Sequence, residues 1–186
     1  MKITEAWKNK DAFLEACKAK DACKEEYKNA LSAKTEEELI EVIARNFDWC
    51  VKNEILEEWL PKILNCTVLN CYSCTRLKTL PELPNCIVLD CNDCTSLKTL
   101  PELPKCTYFY CYDCTNLESL PELPNCTELY CDNCTNLKTL PELPNYTVLY
   151  CNNCTNLKTL PELPNCTELY CDNCPNLETL PKGGIK

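Results

Sequence analysis

Histidine is absent from the 186 residues. No imidazole is available as a general base near neutral pH, or as a metal ligand beside the cysteines. Glycine occurs only twice, so tight turns fall to other residues, Asp and Asn first among them. Positive charge is scarce: 19 Lys and Arg stand against 28 Asp and Glu, a net charge of −9. Duplex binding needs clustered cations, so direct nucleic-acid binding is not expected, whereas a basic partner is. Long apolar runs are missing too. The opening "MKITEAWKNKDAFLEACKAK" has no apolar core of the secretory kind, and no later segment is apolar for long enough to cross a bilayer. No membrane partner is expected.

Cysteine, by contrast, occurs 20 times, and 12 of the 13 prolines fall after residue 80. So many thiols without an export signal point to a reducing compartment. The expected location is the cytoplasm of a bacterial or host cell.

The chain changes character near residue 64. Residues 1–64 read as helices: Trp7, Phe13, Leu14 and Cys17 share one face, then Cys23, Tyr27 and Leu31, then Leu39, Val42, Ile43, Phe47 and Cys50. Thr35 followed by Glu38 is a capping box, and "EILEEWL" before Pro61 is a last short helix. A small all-α domain is expected here. Residues 65–186 repeat every 20 residues, with units opening at Cys66, Cys86, Cys106, Cys126, Tyr146 and Cys166. A fixed short period predicts a solenoid.

One unit is CxxLxCxxCxxLxxLPxLPN. In the fourth, Leu129 and Cys131 are two apart and point the same way in a strand, leaving Glu128, Tyr130 and Asp132 on the other side. A turn follows at "DNCTN", and "LPELP" returns along the outside in an extended path suited to proline. Six coils in register give six short parallel strands, with extended segments on the convex side. Each coil hides its apolar side only against neighbours, so the helical domain is expected to cap the first one.

The six CxxC pairs admit three readings. Cys71, Cys74, Cys91 and Cys94 make C-x2-C-x16-C-x2-C, a spacing found in four-cysteine zinc sites. Any CxxC repeated every 20 residues produces it, however, and zinc needs four sulfurs converging on one point. A stack instead runs thiols in parallel columns, and one column accepts Tyr146. The favoured reading is a wall of buried, reduced thiols with no metal and no cofactor. A zinc or iron–sulfur site, or a set of redox pairs, is the alternative.

The array resembles the leucine-rich repeat family over residues 66 to about 182. "LxCxxC" stands where that family has LxLxxN, with Cys for Asn as in its cysteine-containing subclass. "CTSLKTLPELP" at 94–104 is similar to repeats of plant intracellular immune receptors, and the 20-residue length with "LPELP" is similar to bacterial effector repeats that follow a helical cap. The resemblance implies an α/β solenoid that binds proteins. "CND" at 91 and "CYD" at 111 echo the Cys-x-Asp nucleophile of ubiquitin ligases joined to such repeats, but the helical catalytic domain those ligases need is not in this sequence. The departures are cysteine at the first and third framework positions, and no further domain after the array.

With the inward residues assigned, the strand face is left for function. Its tyrosines are Tyr72, Tyr108, Tyr110, Tyr112, Tyr130, Tyr150 and Tyr170, the last six being the binding candidates; its acids are Asp90, Asp93, Asp113, Glu128, Asp132, Glu168 and Asp172. No Lys or Arg falls on it. Tyrosines at 110, 130, 150 and 170 share one column, either as a strand-stabilising ladder or as a binding stripe. Acids among tyrosines suit a Lys/Arg-rich protein. The expectation is therefore a non-enzymatic protein-binding module. The alternatives are an acidic inhibitor or decoy, of phage or pathogen type, that blocks a nucleic-acid-binding enzyme such as a defence nuclease, and a zinc or redox protein. The open strand edge of the last coil adds an expected homodimer.

Overall fold

The structure, a computed structural model, describes residues 10, 14–15, 24–35, 38–39, 42, 66–75 and 77–179. Within them lie helix α1 (Lys24–Ser32), further helical positions at 10, 14–15, 38–39 and 42, and six strands: β1 (Val68–Asn70), β2 (Val88–Asp90), β3 (Tyr108–Tyr110), β4 (Glu128–Tyr130), β5 (Val148–Tyr150) and β6 (Glu168–Tyr170). The strands form one parallel sheet in sequence order.

Around α1, Leu14, Ala30, Ala33, Leu39 and Val42 are buried. Leu31 is a correction: expected on the buried stripe, it is 55 % exposed. Ala30 and Ala33, three apart and so on one face, turn inward in its place. The Lys10 ammonium donates to the carbonyls of Leu31 (3.1 Å) and Ala33, neutralising the carbonyl end of the helix. At the next helical start the Glu38 amide donates to Thr35 Oγ1 at 3.2 Å, and the Glu38 carboxylate accepts from the Lys34 amide at 2.6 Å. This is the reciprocal cap read from Thr35 and Glu38, reaching back one residue further than the usual box. Tyr27, of the same stripe as Leu31, lies within α1; the other positions of the expected helical stripes, the short helix before Pro61 and the boundary at residue 64 lie outside the described residues.

The solenoid is built from an invariant 20-residue step. Val68 pairs with Val88, Leu69 with Leu89 and Asn70 with Asp90, and the same register carries through to Tyr150 with Tyr170. Each strand has three residues with its middle one turned inward; Leu69, Leu89, Phe109, Leu129 and Leu149 are fully buried. Ladder bonds run on past the strands, as from the Cys71 amide to the Asp90 carbonyl (2.7 Å) and the Ser73 amide to the Asn92 carbonyl (2.8 Å).

Three turns fold each coil, and each has a residue-level cause. The first spans the CxxC motif. The Cys74 amide donates to the Cys71 carbonyl at 3.1 Å, while Ser73 between them has φ 58°. A positive φ at the third turn position is a type II geometry. It recurs at Asp93, Asp113, Asn133, Asn153 and Asn173, with φ between 56° and 60°. Asn and Asp tolerate this left-handed region better than other residues with a side chain, which is how these turns dispense with glycine. The second turn closes from the Leu77 amide to the Cys74 carbonyl (2.9 Å). The third closes from the Cys86 amide to the Leu83 carbonyl (3.2 Å), across Pro84 and Asn85. Proline at the second turn position is already set at the required φ. The second proline of "LPELP" therefore starts a turn as well as extending the return segment.

Inside, Leu83, Leu103, Leu123 and Leu143 form one column and Leu97, Leu117, Leu137 and Leu157 another, all fully buried. Tyr146 also lies inside at 0 % exposure, as its place in the cysteine column requires. In coil 6 the inward set, Cys166, Leu169, Cys171, Cys174 and Leu177, is only half-buried. No helix among the described residues is long and apolar enough to cross a membrane.

Candidate functional site on the strand face

The thiols define what the interior does. From Cys66 to Cys154 every cysteine of the array is a buried thiol. Their orientation follows a rule. The second cysteine of each CxxC donates to the carbonyl of the first cysteine in the preceding coil: Cys94 to Cys71, Cys114 to Cys91 and Cys134 to Cys111, each at 3.0 Å. Cys154 to Cys131 and Cys174 to Cys151 continue it at 3.1 Å. Another column bonds within its own coil, Cys86 to the Val88 carbonyl and Cys126 to the Glu128 carbonyl, at 3.2 and 3.3 Å. These thiols are thus more than small apolar fillers: they satisfy backbone carbonyls that turn into the core. Burial raises the Cys91 and Cys111 thiols well above their ordinary range, and Cys91 Sγ donates to the Tyr110 carbonyl at 3.4 Å. Among the described residues no three Cys, Asp or Glu side chains converge where a metal ion could sit. Tyr146, which replaces a thiol, buries its hydroxyl without a hydrogen-bond partner.

Outside, the turn amide after each strand needs an acceptor, and the coils supply it in two ways. In coils 1 and 2 the last strand residue serves its own turn: Asn70 Oδ1 accepts from the Tyr72 amide (2.9 Å), and Asp90 Oδ1 from the Asn92 amide (3.1 Å). From coil 3 onward that residue is tyrosine, and the acceptor comes from the coil before. Asn92 Oδ1 takes the Tyr112 amide at 2.7 Å, Asp132 Oδ1 the Asn152 amide at 2.6 Å, and Asn152 Oδ1 the Asp172 amide at 2.8 Å. Coil 3 offers coil 4 no such oxygen, since Tyr112 occupies the position.

Freed from that duty, the tyrosines stack. Ring centroids are 4.9 Å apart from Tyr110 to Tyr130, 5.0 Å from Tyr130 to Tyr150 and 4.3 Å from Tyr150 to Tyr170, each pair inclined by 17°. Tyr110, Tyr130 and Tyr150 are half-buried by their neighbours, and Tyr170 at the end of the row is 42 % exposed. Tyr108 and Tyr112 flank the row and are exposed.

The acids sit on either side of this row. Glu128 Oε2 accepts from the Tyr130 hydroxyl at 3.0 Å. Burial and then that bond to Glu128 push the Tyr130 phenol up to about 12. Burial also raises Asp90 and Asp132, and the turn amides of Asn92 and Asn152 partly offset it. Asp113 is raised by burial as well; Asn133 beside it lowers it and Asp93 raises it. Glu168 and Asp172 are exposed. Asp93 also faces Tyr72, raising that phenol, and Tyr72 is an exposed aromatic in coil 1 that the column pattern alone does not single out.

Other side chains serve only the stack. Asn125, Asn145 and Asn165 donate to the carbonyls of Pro104, Pro124 and Pro144 at 2.6 to 2.7 Å. Asn153 Nδ2 donates to Asn133 Oδ1, and Asn173 Nδ2 to Asn153 Oδ1. Recurrence of Asn at the same place in successive units was their signal in the sequence. No family profile, curated protein or solved structure matches the chain.

Proposed function

We propose that the chain is a non-enzymatic protein-binding module whose strand face receives a partner rich in Lys and Arg. This reading includes the finer fold assignment, a leucine-rich repeat array with a small all-α cap over residues 1–64. One observation carries it: a row of stacked tyrosines edged by carboxylates, on a face to which the sequence assigns no Lys or Arg. Aromatic rings supply contact area and attract cations over their faces, and the carboxylates steer a basic surface to them.

The placement of charge supports the reading further. Asp132 and Asn152 do the same structural work, each accepting the next coil's turn amide. The negative charge at Asp132 is therefore not needed by the fold and is held there against burial. Residues that work against local stability are the ones to suspect of function.

A second reading has its own observation. Glu82, Glu102, Glu122, Glu142 and Glu162 are exposed in one column of the return segments, near the exposed Lys78, Lys98, Lys138 and Lys158, so a row of carboxylates runs along a second side of the array. That suits a decoy that occupies the nucleic-acid groove of a basic enzyme. Anisotropy titrations of labelled nona-arginine and nona-glutamate peptides against the full chain test the main reading. Binding of the basic peptide alone, lost when Tyr130 is replaced by Ala, is the expected result; binding of neither peptide overturns it. A slope against salt as steep as that of a protein–nucleic acid complex favours the decoy.

A further inference from the structure

The charge on the strand face is not continuous along the solenoid. Coil 4 places Glu128 and Asp132 on either side of Tyr130, and coil 6 places Glu168 and Asp172 on either side of Tyr170. Coil 5 between them has Val148 and Asn152 about Tyr150. Within coils 4 to 6, charge therefore falls on the two outer rungs and skips the middle one; Asp90, Asp93 and Asp113 lie in coils 2 and 3, outside this stretch. The ring steps across this stretch are 5.0 and 4.3 Å, so the two charged rungs lie roughly 9 to 10 Å apart, two sheet spacings.

That distance selects among partner conformations. A β-strand returns side chains to one side only at every second residue, at roughly 7 and 13 Å. A polyproline II segment has three residues per turn and a rise of about 3.1 Å, so residues i and i+3 lie on one side about 9 Å apart. An α-helix reaches about 10.5 Å only at i and i+7, after two full turns. Aromatic surfaces are also the usual platform for polyproline II segments, whose stiffness lowers the entropy lost on binding.

We propose that the strand face of coils 4 to 6 binds a polyproline II segment carrying Lys or Arg at i and i+3. One cation meets Glu128 and Asp132, the other meets Glu168 and Asp172, and the residues between lie over Tyr150. The proposal rests on the protein-binding reading above and specifies the partner's form.

Its test uses the full chain and four labelled peptides in anisotropy titrations. Two are proline-rich with a pair of arginines, three residues apart in one and two apart in the other. The third is an alanine-rich helical peptide with arginines seven apart, and the fourth is nona-arginine. The three-residue spacing is expected to bind at least tenfold tighter than the other two arginine pairs. The double variant Glu168→Gln, Asp172→Asn should abolish that advantage, while Glu82→Gln, on the return segment, should leave it intact. Equal affinities across the three arginine pairs overturn the register while nona-arginine still binds, leaving the basic-partner reading in place. Failure of all four peptides to bind removes both.

Discussion

Coils 1 and 2 and coils 3 to 6 share one backbone, and the last strand position divides them into two groups. Where Asn70 and Asp90 end their strands, an oxygen is delivered to the amide two residues on, and the coil is self-sufficient. Where Tyr110, Tyr130, Tyr150 and Tyr170 stand, that oxygen is gone. The amide then depends on the preceding coil, and the rings lean on one another. Stacking contributes about 0.5–1.5 kcal/mol per pair beyond burial, so the tyrosines are not idle in the fold. The early coils demonstrate, however, that the fold has a simpler solution. Tyrosine at this position is a choice with a cost, and the cost falls on coil 4, which follows Tyr112.

The largest expected effect separates the two solutions. Tyr130→Ala should weaken binding of a basic partner by about 2 kcal/mol, roughly 30-fold, as loss of a central interface aromatic does. Asn70→Ala, at the equivalent place in coil 1, should leave affinity unchanged and lower stability by about 1 kcal/mol through the lost turn acceptor. Calorimetry for affinity and urea unfolding for stability read the two quantities separately. If Asn70→Ala costs as much affinity as Tyr130→Ala, the early and late coils are functionally equivalent and the comparison fails.

Next in size is a gain. Tyr112→Asn places an oxygen where Asn92 and Asn152 carry theirs, next to the Asp132 amide. It should raise stability by about 1 kcal/mol, the usual net value of a hydrogen bond, and so raise the urea midpoint. A midpoint that stays level or falls would mean that the relay between coils is not what satisfies these amides. A smaller gain belongs to coil 1. Ser73 holds φ 58° where coils 2 and 3 use Asp and coils 4 to 6 use Asn, so Ser73→Asn should stabilise by about 0.5 kcal/mol, the scale of surface substitutions.

The 20-residue register, the inward set Leu129, Cys131, Cys134 and Leu137, the enclosure of Tyr146 and the outward tyrosine column were all legible in the sequence. Each depends only on the period of the repeat and on strand alternation. What escaped depends on the offset between coils. Cys94 reaches the Cys71 carbonyl 23 residues back, a separation that no pattern within one unit encodes. The same holds for Asp132, whose carboxylate reads as a surface charge until the Asn152 amide is seen against it. Leu31 misled for a different reason: in a helix of nine residues, Ala30 and Ala33 make a buried edge of their own and the leucine is left outside.

The smallest effect tests whether charge on the later coils is held at the expense of stability. Asp90, Asp113 and Asp132 have carboxyls raised by burial, so their pKa is higher folded than unfolded. Protonation then favours the folded chain. This contribution is fully present below the unfolded value of about 4 and is lost as the pH rises through the folded values. From these groups, unfolding free energy should fall as pH increases from about 4 toward neutrality, the reverse of a chain whose acids are paired with cations. Asp132→Asn keeps the acceptor that Asn152 already exemplifies and removes the charge. It should flatten the slope and raise stability at pH 7 by no more than about 0.5 kcal/mol, while weakening the basic partner. Urea unfolding across this pH range measures both. A steeper slope, or a variant less stable at pH 7, would place the Asp132 charge among the supports of the fold rather than among its costs.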